Sequence, residues 1–412
     1  MISIPTSPES SPPNSASLFP NGPVAFDSLD LGKMLPQTSK ATYNWLCTGH
    51  DTFTAMVEAI ERATEYVSLE TYIYAPGALG ETFLKALVRA SQRGVKVRVL
   101  VDALGSVNLP TAFWNPLTQA GGEARFFNPI SLHRLGIRNH RKMLACDDRV
   151  AFVGGFNIAP EYEGDGVSCG WCDIGLRLEG ELVHELAVSF DEMFERAEFK
   201  HKRFARLRRP TENTAVTTPK EQLLFSGPGR GSSPIKTFLR KDFAKGNKVQ
   251  VVAAYFLPTW RLRRELARVA QRGGTVQLLL AGKSDVRISQ LAGRSLYPRF
   301  LRRGVQIFEY QPQVLHAKLI IVDDIVYVGS ANLDQRSLNI NYELVVRFQD
   351  PEVAQQAREV FDQIRSHSQE ITLDSWRGAK GLWRHLKESW AYFLLVRIDP
   401  YIARRQWRSL PD

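Results

Sequence analysis

Hydrophobic and polar positions alternate with strand-like and helix-like periods along most of the chain. Residues 66–72 and 249–255 are rich in β-branched and aromatic residues, which is typical of strands, and each run is followed by a stretch with the helical period. Those stretches end at Gly94 and Gly273, and glycine suits the left-handed cap that ends a helix. A further strand follows each glycine, so the pattern predicts β-α-β units.

The same order of elements occurs twice, because residues from about 40 to 195 can be laid over residues from about 222 to 365. Each half continues with a second helix, another strand and a hairpin. The prediction is therefore an α/β fold of two tandem α/β sandwich domains with mixed sheets, related by internal duplication. The expected segments are a disordered Ser/Pro-rich tail at 1–39, domains at 40–195 and 222–366, a basic linker at 196–221 and a basic aromatic tail at 367–412.

Charge and length limit the classes of protein. A chain of 412 residues is long enough for two or three domains, and a formal net charge of +10 implies an anionic partner. Nucleic acid, polyanionic metabolites and acidic lipid surfaces all remain open at this point. No run reaches the roughly 18 apolar residues of a membrane-spanning helix, so we expect any membrane contact to be peripheral.

The four cysteines are too few and too unevenly spaced for a disulfide framework, which favours a reducing compartment. Cys169 and Cys172 form a lone C-x-x-C pair, and an ordinary loop is the preferred interpretation over a metal or redox site.

One motif with a histidine, a lysine two residues later and an aspartate five residues after that occurs in each half. The matching positions are His140, Lys142 and Asp147 in the first copy and His316, Lys318 and Asp323 in the second. Each copy leads into a turn of small residues that ends in asparagine: Gly154-Gly155-Phe156-Asn157 and Gly329-Ser330-Ala331-Asn332. A lone histidine on a strand is usually an ordinary core residue, but two equivalent His-Lys pairs predict a shared site.

The residue types suit phosphoryl transfer. One histidine can attack phosphorus, the lysines can bind the non-bridging oxygens, and the other histidine can protonate the departing alkoxide. Residues two apart share a face of a strand, so His140 and Lys142 are expected to point together, whereas Asp147 and Asp323 are expected to shape turns. Two buried lysines at equivalent positions call for an anion to neutralise them.

These motifs resemble the phospholipase D superfamily, whose pattern is His-x-Lys, four residues, Asp and then a Gly-Ser-x-Asn-like turn. The resemblance extends from about Tyr43 to Ser366, and the flanking segments look like those of bacterial cardiolipin synthases, in particular short forms without transmembrane helices. It implies two phospholipase D-like domains with one active site at their interface. Gly155 departs from the pattern, which commonly has serine there, and the second hairpin is one residue shorter.

The resemblance also implies roles for individual residues. An acid that orients each histidine is expected at Asp173 and Glu343, and phosphate-binding groups are expected at Asn157, Ser330 and Asn332. The implied mechanism passes through a phosphohistidine, with His140 as nucleophile and His316 as acid and then base. No metal and no cofactor are expected.

The predicted function is a phosphatidyltransferase that makes cardiolipin from phosphatidylglycerol, or a related head-group exchange. The alternatives are a phospholipase D-type hydrolase and a phosphodiesterase or nuclease of the same superfamily. The expected partners are an anionic phospholipid membrane, containing phosphatidylglycerol and cardiolipin, and an alcohol acceptor, with no nucleic acid. The expected location is the cytoplasmic side of the cell membrane, as a peripheral protein.

Aromatic and basic residues alternate after Ser375, a composition typical of membrane interfaces. The aromatic residues are Trp376, Trp383, Trp390, Tyr392, Phe393, Tyr401 and Trp407, and the basic residues are Arg377, Lys380, Arg384, Lys387, Arg397, Arg404, Arg405 and Arg408. We expect this tail to bind the bilayer; the alternative is a helix packed on the protein's own surface.

Overall fold

The computed structural model describes residues 42–129, 136–197, 215–217, 220–228, 232–378 and 382–398. Strands and helices alternate in both halves, as the periodicity predicts. The first half contains β1 (Tyr43–Leu46), α1 (Gly49–Arg62), β2 (Tyr66–Thr71), α2 (Ala78–Gln92), β3 (Lys96–Asp102), α3 (Asn115–Gln119), β4 (Glu123–Phe127), β5 (Met143–Cys146), β6 (Val150–Gly154), β7 (Gly175–Leu178) and α4 (Leu182–Glu195).

The second half repeats this order and adds elements at both ends. It contains β8 (Ala215–Thr217), β9 (Glu221–Ser226), α5 (Pro234–Lys245), β10 (Lys248–Ala253), α6 (Trp260–Gln271), β11 (Thr275–Ala281), α7 (Arg287–Arg294), α8 (Tyr297–Leu301), β12 (Gln306–Tyr310), β13 (Lys318–Val322), β14 (Ile325–Gly329), α9 (Gln335–Asn339), β15 (Glu343–Gln349), α10 (Pro351–Ser366), β16 (Ser368–Ile371), α11 (Leu373–Gly378) and α12 (Leu382–Phe393), with a π-helical turn at Leu394–Ile398.

The two sheets have the same topology. The strand order is β1-β7-β6-β5-β2-β3-β4 in the first sheet and β16-β12-β11-β10-β13-β14-β15-β9-β8 in the second. Adding eight to each number of the first order yields the middle of the second order, with β8 and β16 as additional edge strands. Three neighbouring strands are parallel in each sheet and the other pairs are antiparallel. The predicted duplication with mixed sheets is confirmed.

Helix ends follow the local sequence. Thr48 accepts a hydrogen bond from Asp51 N at 3.1 Å and caps α1, and Asp350 accepts one from Glu352 N at 2.9 Å and caps α10. Gly94 and Gly273, which follow α2 and α6, have φ values of 88° and 91°, so the predicted left-handed caps are present.

A single apolar core joins the two halves. Its buried members include Met143 and Val153 of the first sheet and Leu319 and Val328 of the second, and α4 and α10 contribute to it. Each half has a further core on its other face, beneath α1 and α2 in the first half and beneath α5 and α6 in the second. The shared core holds the two sheets together at the place where their motifs meet.

The expected tail boundary at residue 367 needs correction. Strand β16 pairs antiparallel with β12, so the second sheet continues beyond residue 366. Trp376, expected at a membrane interface, is buried with 5% of its surface exposed, and its ring centroid lies 4.9 Å from that of Tyr297. The expected disordered tail at 1–39 and most of the expected linker lie outside the described residues.

Candidate active site

Main-chain pairing between the halves positions both histidines at the junction. His140 N donates to Tyr342 O at 2.9 Å, and His316 N donates to Cys172 O at 2.7 Å. Each contact is an isolated parallel bridge between a motif segment of one half and a segment of the other half. Tyr342 and Cys172 each precede a predicted orienting acid, so this pairing brings the acid of one half to the histidine of the other.

The acid-histidine pairs are crossed between the halves. Nδ1 of His140 lies 3.1 Å from Oε2 of Glu343, and Nδ1 of His316 lies 2.6 Å from Oδ2 of Asp173. A neutral imidazole that donates from Nδ1 to a carboxylate has a free lone pair on Nε2, the atom that can attack phosphorus or exchange a proton. Both predicted acids therefore contact a histidine in the structure. Each contacts the histidine of the opposite half, which the spacing of residues within a motif could not predict.

The acids are ionised in spite of their burial. Burial opposes ionisation of Asp173, but Lys318 and His316 hold the pKa of that carboxyl below its usual range. Burial has the same effect on Glu343, where His140 and Lys142 lower the carboxyl pKa. Both carboxylates therefore carry charge that can stabilise an imidazolium.

The histidines themselves favour the neutral form. Burial lowers the pKa of His140, with Glu343 opposing it, and burial together with the charge of Lys318 lowers the pKa of His316 to about 4. Lys142 also lowers the pKa of His316, and Lys318 that of His140, so the charges of each copy act on the other. All four groups thus belong to one electrostatic site.

The two lysines are buried and repel each other. Burial and the charge of Lys318 lower the pKa of Lys142 to about 7, and burial lowers that of Lys318. Lys142 Nζ donates to the carbonyl oxygen of His140 at 2.8 Å, and Lys318 Nζ contacts the corresponding carbonyl of His316. An anion between the lysines would restore their charge, which is the property expected of a phosphate-binding site.

Aromatic side chains form the walls beside the histidines. The ring centroids of Tyr162 and Trp171 lie 5.3 and 5.7 Å from that of His316, and the centroid of Tyr72 lies 5.1 Å from that of His140. Sequence reasoning identified neither Tyr162 nor Trp171 as a site residue. Their position between Asn157 and Asp173, in the segment that crosses to the second half, is the feature that could have identified them.

The predicted phosphate-binding residues contact protein groups in this structure. Asn157 accepts from Ile73 N at 3.0 Å and donates to the Tyr162 hydroxyl at 2.6 Å. The Ser330 hydroxyl donates to Glu343 Oε2 at 2.5 Å, so its observed partner is the orienting acid. Asn332 Oδ1 is buried and has no hydrogen-bond partner among the described residues. Phosphate contact by these three residues remains a prediction.

The departure at Gly155 has a steric cause. A Cβ atom built on Gly155 would lie 2.0 Å from Oδ1 and 2.5 Å from Oδ2 of Asp173, so serine does not fit there without moving that acid. The equivalent Ser330 faces Glu343, which has a longer side chain. The shorter acid, Asp173, is therefore paired with the smaller residue, glycine, and the longer acid, Glu343, is paired with serine.

The aspartate of each motif lies in the turn of its hairpin and accepts hydrogen bonds from main-chain N–H groups of another segment. Asp147 accepts from the N–H groups of Thr64, Glu65 and Tyr66 at 2.7, 2.8 and 2.9 Å, and Asp323 accepts from Lys248 N at 2.8 Å. Both aspartates have positive φ, at 55° and 50°, which suits a tight turn. They anchor the starts of β2 and β10 and do not contact the histidines.

Among the described residues, no group of three or more His, Cys, Asp or Glu side chains could hold a metal ion. Within the same part of the chain, no helix has both the length and the apolar character of a membrane span.

Comparison with known proteins places both motif copies in one family. The family profile described as "Cardiolipin synthase, PLD-like domain" matches residues 56–193 and 242–365. Cardiolipin synthase 1 of Bacillus cereus is 30% identical in an alignment 359 residues long that covers 83% of this chain and 70% of that protein. The major cardiolipin synthase ClsA of Bacillus subtilis is 31% identical in an alignment 386 residues long that covers 90% of this chain and 79% of that protein.

A solved structure shares the fold. The phosphatidylserine synthase of Haemophilus influenzae superposes with a TM-score of 0.70 at 16% identity, covering 88% of this chain and 95% of the other. At this identity the likeness shows the fold alone.

Proposed function

The chain belongs to the cardiolipin synthase family of phospholipase D-like proteins, and from this premise we propose that it makes cardiolipin by transferring a phosphatidyl group from one phosphatidylglycerol to another. It is an enzyme of the phosphatidyltransferase class. The observation that carries the proposal is the crossed pair of His-acid contacts beside two buried lysines. This arrangement provides a nucleophile, an acid and a charge-binding site around one phosphate.

In the first step, Nε2 of His140 attacks phosphorus and forms a P–N bond, while the P–O bond to the glycerol head group breaks. His316 donates its proton to the departing oxygen, so glycerol leaves as a neutral alcohol. Glu343 stabilises the positive charge that develops on His140, and Asp173 holds His316 for proton donation. The product of this step is a phosphatidyl-histidine.

In the second step, neutral His316 takes the proton from the hydroxyl of a second phosphatidylglycerol, whose oxygen attacks phosphorus. The P–N bond breaks, cardiolipin forms, and His140 and protonated His316 are regenerated. Lys142 and Lys318 bind the non-bridging oxygens in both steps, where negative charge accumulates. Water in place of the second lipid would yield phosphatidic acid.

The negative charge of the substrate favours protonation of His316, the proposed proton donor. Without an anion, burial and Lys318 keep the pKa of His316 low. A phosphodiester between the lysines neutralises part of their charge and raises the pKa of His316. The substrate itself thereby favours the protonated form of His316 that its leaving group needs.

We also propose an anionic phospholipid membrane as the partner, approached from the cytoplasmic side, with no role for nucleic acid. The net charge of +10 suits an anionic surface, and the small number of cysteines, all four of them free, suits the reducing side of the membrane. The choice of lipid over nucleic acid rests on the family to which the chain belongs.

The test is incubation of the purified full chain with phosphatidylglycerol vesicles, followed by separation of the lipids. Cardiolipin with release of glycerol is expected; phosphatidic acid alone would indicate a hydrolase. A parallel plasmid-nicking assay examines the nuclease alternative, and the double variant His140→Ala/His316→Ala controls for contaminating activity. Nicking without any change in the lipid would contradict the proposal.

A further inference from the structure

Most of the exposed large hydrophobic side chains belong to a few segments of the fold. Seven are exposed by between 37% and 65% among the described residues: Val107, Val188, Trp260, Val286, Trp390, Phe393 and Ile398. All except Val188 lie either on segments that follow the carboxyl ends of β3, β10 and β11 or on the C-terminal helix and its π turn. In open α/β sheets, the carboxyl ends of parallel strands are where ligands bind.

Two of these residues occupy equivalent places in the two halves. Val107 and Val286 each lie eleven positions after the first residue of the matching strands β3 and β11. Val286 follows Asp285, whose Oδ2 accepts from the Tyr255 hydroxyl at 2.6 Å and whose charge raises the pKa of Lys318 against the larger, opposing effect of burial. This valine therefore lies at the rim of the active site.

The first half has the same arrangement. Val107 follows Ser106, whose hydroxyl donates to the carbonyl oxygen of Tyr72 at 3.2 Å. The ring of Tyr72 lies 5.1 Å from that of His140. The two valines thus mark the rim on both sides of the catalytic pair.

Helix α12 extends this surface. It packs against α7, which begins directly after Val286, and the guanidinium of Arg263 lies 5.5 Å from the ring centroid of Tyr392. Ala391 is buried in the outer core of the second half, whereas Trp390 and Phe393 on the same helix face solvent. The helix is folded onto the protein and still presents two large rings outward.

Basic side chains accompany the apolar ones. Arg261 and Arg264 are exposed beside Trp260, with the Arg264 guanidinium 5.7 Å from the Trp260 ring centroid. Lys283 and Arg287 are exposed on either side of Val286, and Lys387 is exposed one turn before Trp390. Asp285 is an exposed acid among these cations, and its carboxylate accepts a hydrogen bond from the Tyr255 hydroxyl. Apolar and aromatic side chains interleaved with cations suit the anionic headgroup layer of a bilayer.

We propose that Val107, Trp260, Val286, Trp390 and Phe393, here called the rim surface, dock the enzyme on an anionic bilayer with the mouth of the active site facing the lipid. The inference rests on the proposed function, because a lipid substrate gives the mouth a reason to face the membrane. It keeps Trp390 and Phe393 of the expected membrane-binding tail and adds to them exposed residues from loops of both halves and from the start of α6. A substrate can then reach the two histidines from the headgroup layer.

The experiment measures co-sedimentation of the full chain with sucrose-loaded vesicles of phosphatidylglycerol and phosphatidylcholine. Trp260→Ser and the double variant Val107→Asp/Val286→Asp are each expected to weaken binding by about tenfold or more, equivalent to about 1.4 kcal/mol. The matched control is Val188→Asp, an exposed valine on α4, and it is expected to bind as the unchanged protein does. Binding should also fall with added salt and on vesicles of phosphatidylcholine alone.

A second readout separates docking from catalysis. Turnover of a soluble short-chain phosphatidylglycerol should stay within about twofold in the rim variants, because a dissolved substrate needs no interface. If the aspartate pair also lowers that turnover, Val107→Thr/Val286→Thr replaces it. Unchanged vesicle binding by Trp260→Ser and the valine variants would overturn the proposal, as would equal binding to neutral vesicles. Rim-dependent binding without cardiolipin synthesis would overturn the proposed reaction and leave the docking surface standing.

Discussion

The two copies of the motif have the same scaffold and different surroundings. In both copies, the main-chain N–H of the histidine donates to a carbonyl oxygen of the opposite half, and Nδ1 of the same histidine contacts a carboxylate of that half. The acid of the first half is Asp173, which packs directly against Gly155. The acid of the second half is Glu343, which also accepts a hydrogen bond from the Ser330 hydroxyl. His316 has two aromatic neighbours, Tyr162 and Trp171, whereas the ring contact described for His140 is Tyr72.

The difference teaches how a duplicated fold can give two equivalent residues unequal surroundings. The equivalent segments before β5 and β13 bring both histidines to the junction of the halves, so neither half forms a complete site. The pKa of both histidines is lowered by burial; Lys318 adds to this effect at His316, whose pKa falls to about 4, whereas Glu343 opposes it at His140. A nucleophile and a proton donor need different environments, and the proposed division of roles between the two histidines can be tested against this difference.

The largest expected effect comes from removing either histidine, and it separates their roles. His140→Ala should lower turnover by about 10⁴-fold or more, because no other group forms the covalent intermediate. His316→Ala should lower it by about 10²- to 10⁴-fold on phosphatidylglycerol.

A substrate with a nitrophenol leaving group, which needs no proton, sharpens this test. His316→Ala should recover most of the first step on it and accumulate a phosphohistidine detectable by acid-labile phosphorus, whereas His140→Ala should not. The reverse pattern would exchange the two assignments, and equal rescue of both variants would exclude distinct roles.

The next largest effect concerns the lysines. Lys142→Ala and Lys318→Ala should each lower kcat by about 10²- to 10³-fold, because their charges act on the phosphoryl oxygens in the transition state. Binding to phosphatidylglycerol vesicles should change little. The control is Lys96→Ala, an exposed lysine at the opposite end of β3. A parallel loss of vesicle binding and kcat would mean that the lysines attract lipid and do not assist the chemistry.

Much of this comparison could be predicted from sequence, because it depends on residues close together along the chain. The motif offsets singled out His140, Lys142, His316 and Lys318, the duplicated periodicity predicted two sandwiches, and the family resemblance implied one active site at their interface. The crossing of the acids could not be predicted in this way, since it depends on the relative placement of two sheets that pair through Tyr342 and Cys172.

The C-terminal segment shows a second limit of sequence reasoning. The alternation of aromatic and basic residues predicted one interfacial tail, but Trp376 packs against Tyr297 in the core and Trp390 faces solvent. Composition is the same in both places, and the packing of α11 on α8 and of α12 on α7 decides which rings are covered. The alternative of a helix packed on the protein's own surface holds for Trp376, and membrane binding by the exposed rings of α12 stays a prediction.

A moderate effect is expected from exchanging the residues opposite the acids. Gly155→Ser should lower kcat by about tenfold, because the new Cβ displaces Asp173 from His316. Ser330→Gly should cost less, since Glu343 keeps its contact with His140 and loses a hydroxyl donor. The double variant Gly155→Ser/Asp173→Glu copies the second pair into the first and should recover part of the loss. If Gly155→Ser had full activity, the size matching between acid and partner would have no functional meaning.

The smallest effect concerns the pH dependence, and it follows from the charge that the substrate brings. In the free enzyme, burial and Lys318 lower the pKa of His316 to about 4. Bound phosphate raises that pKa because it offsets the lysine charges, so His316 keeps its proton to higher pH in the complex. The first step needs protonated His316, and its rate therefore falls as pH rises through the pKa of His316.

The alkaline limb of the pH-rate profile should lie at higher pH for kcat than for kcat/KM, by about one unit, because kcat reports the enzyme-substrate complex and kcat/KM reports the free enzyme. Lys318→Gln, which removes a cause of the low pKa, should move the kcat/KM limb upward and bring the two closer. Coincident limbs in the unaltered enzyme, measured on the short-chain lipid, would show that the substrate's charge does not control the proton on His316.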